Sequence, residues 1–142
     1  MLMNQKMQHL WDKRDQQFNY ALPEKLKKIA SSEIVRLYDC LILKGTYQLE
    51  ALLDQYGPDN GQLPDRAKNE FGSRMRFEFW VTKIHIEDYV KEHLLEHALT
   101  YLKEAFDAFH IQHPEVVVRG VVSINEGDEF NDYYCSCTAG YY

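Results

Sequence analysis

Long apolar runs are missing from this chain: no window approaches the roughly 18 consecutive apolar residues that a membrane-spanning helix needs. Nor does the start, Met1-Leu2-Met3-Asn4-Gln5-Lys6, carry the apolar central stretch of a secretory signal. The expected compartment is therefore the cytoplasm, with no membrane partner. Cysteine is scarce. Cys40, Cys135 and Cys137 are an odd number, too few for a disulfide scaffold, and read as reduced thiols. The seven glycines are too scattered for a phosphate-cradling loop, a dinucleotide fingerprint or a nucleophile elbow, and no kinase or EF-hand pattern is present. No catalytic residue and no cofactor is expected on these grounds.

What is present fits an ordinary globular domain. The 142 residues include 45% hydrophobic and 27% charged side chains, which lies outside the low-hydrophobicity range of disordered chains. At roughly 100–200 residues per domain, residues 1–142 are expected to form one domain. A chain of that length buries enough surface to fold without a staple.

Periodicity organises the chain from its N-terminus. Met7, Leu10, Trp11 and Phe18 fall at helical offsets within residues 3–20. After Pro23, Ser31-Ser32 offers an N-cap for a second helix. Its apolar face would be Ile34, Val35, Leu37, Tyr38, Leu41 and Ile42, ending at Gly45. Thr46 can cap a third, with Leu49, Leu52, Leu53 and Tyr56 inward and Gly57-Pro58 as its stop. Residues 58–64 read as a loop before a short helical turn around Arg66 to Phe71, which Gly72 closes.

Residues 75–86 change character. Phe77, Phe79, Trp80, Val81, Thr82, Ile84 and Ile86 are β-formers, and a shift of phase between Val81 and Ile84 suggests a bulge. A long helix follows over 88–110, on the spacing of Val90, Leu94, Leu95, Ala98, Leu102, Ala105 and Phe109. Residues 116–124 and 130–138 then form a hairpin. The fold class is α+β: a small antiparallel sheet of about three strands (75–86, 116–124, 130–138), an N-terminal helical region and the long helix 88–110.

Charge is distributed unevenly along this order. Residues 1–30 carry six basic and three acidic side chains, a balance of +3, and residues 31–60 carry two and five, −3. Residues 61–86 carry five and three, +2, whereas 87–142 carry three and eleven, −8, so the excess of the net −6 lies in the last segment. Glu126, Asp128, Glu129 and Asp132 fall within seven residues of the proposed turn, and Tyr133 and Tyr134 follow directly. Such a field repels nucleic acid and favours a basic protein, with an exposed tyrosine as anchor.

Two constellations invite metal chemistry. His93-Leu94-Leu95-Glu96-His97 spells the H-x-x-E-H of inverted zinc peptidases, with Glu96 placed to polarise a bound water. A third protein ligand is not evident, and histidines flanking an apolar stripe ordinarily cover the core edge. Cys135 and Cys137 share one face of a strand, with His110 and His113 as the remaining candidates, but small buried thiols are the plainer reading. No metal is expected.

The leading expectation is thus a small acidic protein-binding module. In its most economical form it is an inhibitor or immunity protein that neutralises a basic toxin, such as a nuclease, through Glu126, Asp128, Glu129, Asp132, Tyr133 and Tyr134. The alternatives are a zinc-dependent hydrolase centred on His93, Glu96 and His97, and a homo-oligomeric adaptor or homodimer pairing through the stripe Met7, Leu10, Trp11 and Phe18.

Overall fold

The structure is a computed structural model that describes residues 20–126 and 131–140, the backbone alone from residue 124 onward, together with Gln5, Gln8 and Asp12. Those three are helical, and Gln8 donates to Asp12 one turn on at 2.8 Å. The stripe Met7, Leu10, Trp11 and Phe18 lies outside the described residues.

Helix α1 (Glu24–Ala30) starts after Pro23, whose fixed φ suits a helix entry, and buries Leu26 and Ala30. The segment expected to be the second helix is instead a hairpin of β1 (Ile34–Leu37) and β2 (Cys40–Leu43), paired Leu37 with Cys40 and Ile34 with Leu43. Tyr38 and Asp39, at φ 52° and 63°, form the two-residue connection, the doubly left-handed turn whose twist matches that of paired strands. An apolar run buried on both faces lacks the alternation that marks a half-buried strand, so its spacing passes for a helix.

The hairpin partitions the interior. Leu41 and Leu43 of β2 belong to one core cluster, with Leu26, Ile86, Tyr101, Ala105 and Phe109. Cys40 and Ile42 belong to the other, with Tyr38, Leu52, Phe77 and Val81. All four β2 residues are buried, as a strand with a core on each face must be.

The second core is built by three helices. The expected third helix is α2 (Leu49–Tyr56), ended by Gly57 at φ 90°. Its N-cap is Gln48 and not Thr46, which lies in a preceding 3-10 turn where its hydroxyl donates to the Leu43 carbonyl. The short helical turn is α3 (Asp65–Phe71), closed by Gly72 in the left-handed region. The expected strand 75–86 is mostly helix: α4 (Arg74–Thr82) precedes a two-residue strand β3 (Ile84–His85). Ser73 caps α4 by accepting the Arg76 N–H, and Arg74 and Glu78 pair one turn apart at 3.1 Å. Its buried set, Phe77, Glu78, Val81 and Thr82, is a helical stripe. The β-propensity of the aromatic run yields to these caps and to packing against β2. The shift of phase after Val81 is the end of a helix, not a bulge.

The long helix is α5 (Leu94–Gln112). Its start is later than residue 88 because Ile86–Asp88 is a 3-10 turn and His93, at φ 53°, blocks helical continuation. The hairpin β4 (Val117–Glu126) and β5 (Asn131–Gly140) pairs in continuous antiparallel register, from Val117 with Gly140 to Glu126 with Asn131. With β3 it makes the expected three-stranded antiparallel sheet, ordered β3-β5-β4. One face of the hairpin lies on α5, where a Cβ on Gly120 would sit 2.7 Å from Phe106 Cζ and 3.0 Å from Leu102 Cδ1. The fold is α+β.

Because β2 serves two cores, truncating it on either face should be costly. Leu41→Ala and Ile42→Ala are each expected to lose about 2–5 kcal/mol in urea denaturation. Gly120→Val, which forces the α5 side chains away, is expected to lose about 1–3 kcal/mol.

Candidate functional site

The β4–β5 register determines where the acidic residues stand. Asn125 pairs with Asp132 and Glu126 with Asn131, so Glu126 and Asp132 flank the same end of the hairpin. Asp128 and Glu129 lie in the connection between the strands, outside the described residues. Tyr133 pairs with Ile124, while Tyr134 pairs with Ser123 on one side and His85 on the other. Positions 118 and 122, which pack on the α5 core, align with 139 and 135, so position 133 belongs to the α5 face and position 134 to the opposite one.

A second polar constellation surrounds the β1–β2 turn. Asp39 accepts from Arg36 Nη1 at 3.0 Å and from Arg74 Nη1 at 3.3 Å, and Arg74 Nε donates to Glu78 at 3.1 Å. The Tyr38 hydroxyl donates to the Gly57 carbonyl, with the Leu52 carbonyl 3.2 Å away, and the Tyr38 N–H donates to Asp59 at 3.2 Å. Beside this network opens a cleft of about 370 Å³, lined by Tyr38, Asp39, Gln62, Lys68, Ser73 and Arg74 among others. Sequence reasoning missed it. The signal was the spacing Arg74-x-x-x-Glu78, which pairs only on a helix, and a strand reading of residues 75–86 hides it.

Electrostatics make this network a support more than a reactive centre. Glu78 is 3% exposed. Burial raises its carboxyl above the ordinary value, and the Arg74 hydrogen bond opposes that rise without cancelling it. Burial first, and then the neighbouring Glu78 carboxylate, push the Cys40 thiol up to about 12, so it is protonated and a poor nucleophile. Tyr56, buried and donating to Glu70 at 2.7 Å, is likewise pushed up to about 12.

The histidines of the H-x-x-E-H segment form a stack. His93 stands at the N-cap of α5, outside the helix, and His97 Nδ1 donates to its carbonyl at 2.8 Å. Tyr20 lies against both rings, at centroid distances of 4.9 Å from His93 and 5.3 Å from His97. Glu96 is 7% exposed. Among the described residues no three His, Cys, Asp or Glu side chains are grouped to hold a metal ion. Cys135 and Cys137 stand two apart on β5, paired with Val122 and Gly120, and His113 Nδ1 lies 3.5 Å from Glu115.

A family model matches residues 2–132, nearly the whole chain. The chain belongs to the family described as Uncharacterized protein PM0498 family. The match takes in α1 through α5, the whole of β4 and the acidic turn up to Asp132. No curated protein and no solved structure matches the chain. Among the described residues no helix is long and apolar enough to cross a membrane.

Two outcomes follow from the buried network. In the folded protein Cys40 should resist alkylation that labels it fully in denaturant, checked by peptide mass spectrometry. Glu78 binds its proton more tightly folded than unfolded. Its contribution is therefore fully present below the ordinary value of 4.5 and is lost as pH rises through the raised folded value. Glu78→Gln should remove that slope, so that the variant gains on the wild type in urea denaturation as pH rises from the ordinary value of 4.5 through the raised folded value.

Proposed function

We propose that this chain is a protein-binding module that docks a basic partner onto the acidic end of its β4–β5 hairpin. In its most economical form it is a cytoplasmic inhibitor or immunity protein that neutralises a basic toxin such as a nuclease. The observation that carries this reading is the register pairing Asn125 with Asp132 and Glu126 with Asn131. It gathers Glu126 and Asp132 at the strand ends, on either side of a connection that holds Asp128 and Glu129.

The chemistry follows from concentration of charge. Four carboxylates at one hairpin end raise the local attraction for a cationic surface and speed its diffusional capture, an effect that salt weakens. A nuclease must present cationic groups to its polyanionic substrate, and a compact acidic protein competes for that surface. Tyr133 and Tyr134 stand on opposite faces beside this end. Aromatic residues neighbouring carboxylates along the chain are the combination favoured at interface hot spots.

The test is recovery of the protein from its own cells, as wild type and with Glu126, Asp128, Glu129 and Asp132 all changed to Lys. A stoichiometric basic protein held by the wild type and lost from the variant is the expected result. With that partner in hand, the association rate should fall about tenfold or more at low salt in the variant. No basic partner, or the same partner held equally by both forms, would sink the reading.

A further inference from the structure

A strand at the border of a sheet offers a row of backbone donors and acceptors to any second strand, and folded proteins commonly blunt such borders with lysine, proline, a bulge or brevity. Among the described residues β4 is the outermost strand of the three-stranded sheet, and its only charged residues are Arg119 and Glu126. It runs for ten residues, VVRGVVSINE, without lysine or proline, and its register with β5 continues from Val117 to Glu126 without a bulge. Val117 and Val121 leave 49% and 41% of their surface exposed, on the face turned away from α5. The other border strand, β3, has only two residues.

We propose that β4 pairs antiparallel with β4 of a second copy of this chain, joining two sheets into one six-stranded sheet about a two-fold axis. The strand is self-complementary in the manner this symmetry requires. With the axis perpendicular to the sheet, residues that face each other must lie on the same side of it, and a register centred on Val121 satisfies this. It sets Val121 against its own counterpart, Arg119 against Ser123, Val117 against Asn125 and Gly120 against Val122.

Charge permits this pairing. Arg119 is the strand's single basic residue. In this register the two copies of Arg119 stand about 13 Å apart at about 3.3 Å per residue, beyond the roughly 8 Å screening length at physiological salt. Both α5 helices then lie on the same face of the joined sheet, and the exposed valines meet across the axis on the other. This pairing uses the border of the hairpin and leaves its acidic end open, so it stands independently of the charge-driven docking proposed above.

The test is the mass of the full chain in solution. Sedimentation equilibrium should give about twice the chain mass of 16.8 kDa for the wild type. Val121→Lys should give the monomer, with its far-ultraviolet circular dichroism unchanged. Should Val121→Lys fail to fold, Val121→Cys supplies the second reading. Cys residues facing each other across the axis should oxidise to a disulfide-linked dimer that the wild type, with its native thiols, does not form under the same conditions. A wild type that is monomeric at every concentration, or a dimer that Val121→Lys leaves intact and Val121→Cys does not cross-link, overturns the proposal.

Discussion

The burial of β2 on both faces is the constraint on which the rest of the structure depends. A four-residue strand, Cys40–Leu43, supplies alternate side chains to two separate clusters, Leu41 and Leu43 to one and Cys40 and Ile42 to the other. Everything else can be placed by its relation to this wall. Helices α1 and α5 close the first cluster, and α2, α3 and α4 close the second. Strand β5 lies in contact with β2, α4 and α5, which connects the C-terminal hairpin to both cores. Pairing with β1 satisfies the backbone groups along one edge of this buried segment.

The turn that makes β2 possible is expensive in itself. Tyr38 and Asp39 hold left-handed conformations that side chains with a Cβ adopt at some cost, and asparagine or glycine would be the easier residues there. The surrounding bonds offset that cost. Tyr38 is tied through its N–H to Asp59 and through its hydroxyl to the end of α2, and Asp39 joins Arg36 to Arg74. Through Arg74 the turn reaches Glu78, a nearly buried carboxylate that would otherwise face the apolar core without a counter-charge. The polar network thus fixes how α4 sits on the first hairpin, and the Cys40 thiol beside it is kept protonated.

The two recognition surfaces proposed above both lie on the C-terminal hairpin. Its register is continuous, so its acidic end is held by ten paired positions on each strand. The same hairpin presents two different chemistries. Its end concentrates carboxylates, which act at long range and weaken with salt, while its border offers backbone hydrogen bonds and exposed valines, which act only on contact. Partner capture and self-association would accordingly answer differently to ionic strength.

Much of this was legible in the sequence, and the misreadings share one cause. Helices α2, α3 and α5, the C-terminal hairpin and the α+β class all follow from local signals: Gly57 and Gly72 as stops, the long apolar stripe from Leu94 to Phe109, and turn residues between two β-rich runs. The gathering of acidic residues near one turn was visible as a charge pattern, and only the register showed that Glu126 and Asp132 flank the same end. Two segments were exchanged: residues 34–43 have the spacing of a helix and are strands, and residues 75–82 have the composition of a strand and are a helix. In both, tertiary surroundings overrule local preference. A strand with a core on each face has no polar side to betray its period of two, and an aromatic run becomes helical when a serine cap and an Arg–Glu pair one turn apart favour that form. Sequence alone therefore determined which residues are apolar, where the chain turns and where charge accumulates. Tertiary structure alone decided that one short strand divides the core, because burial on both faces depends on what packs there and not on the strand itself.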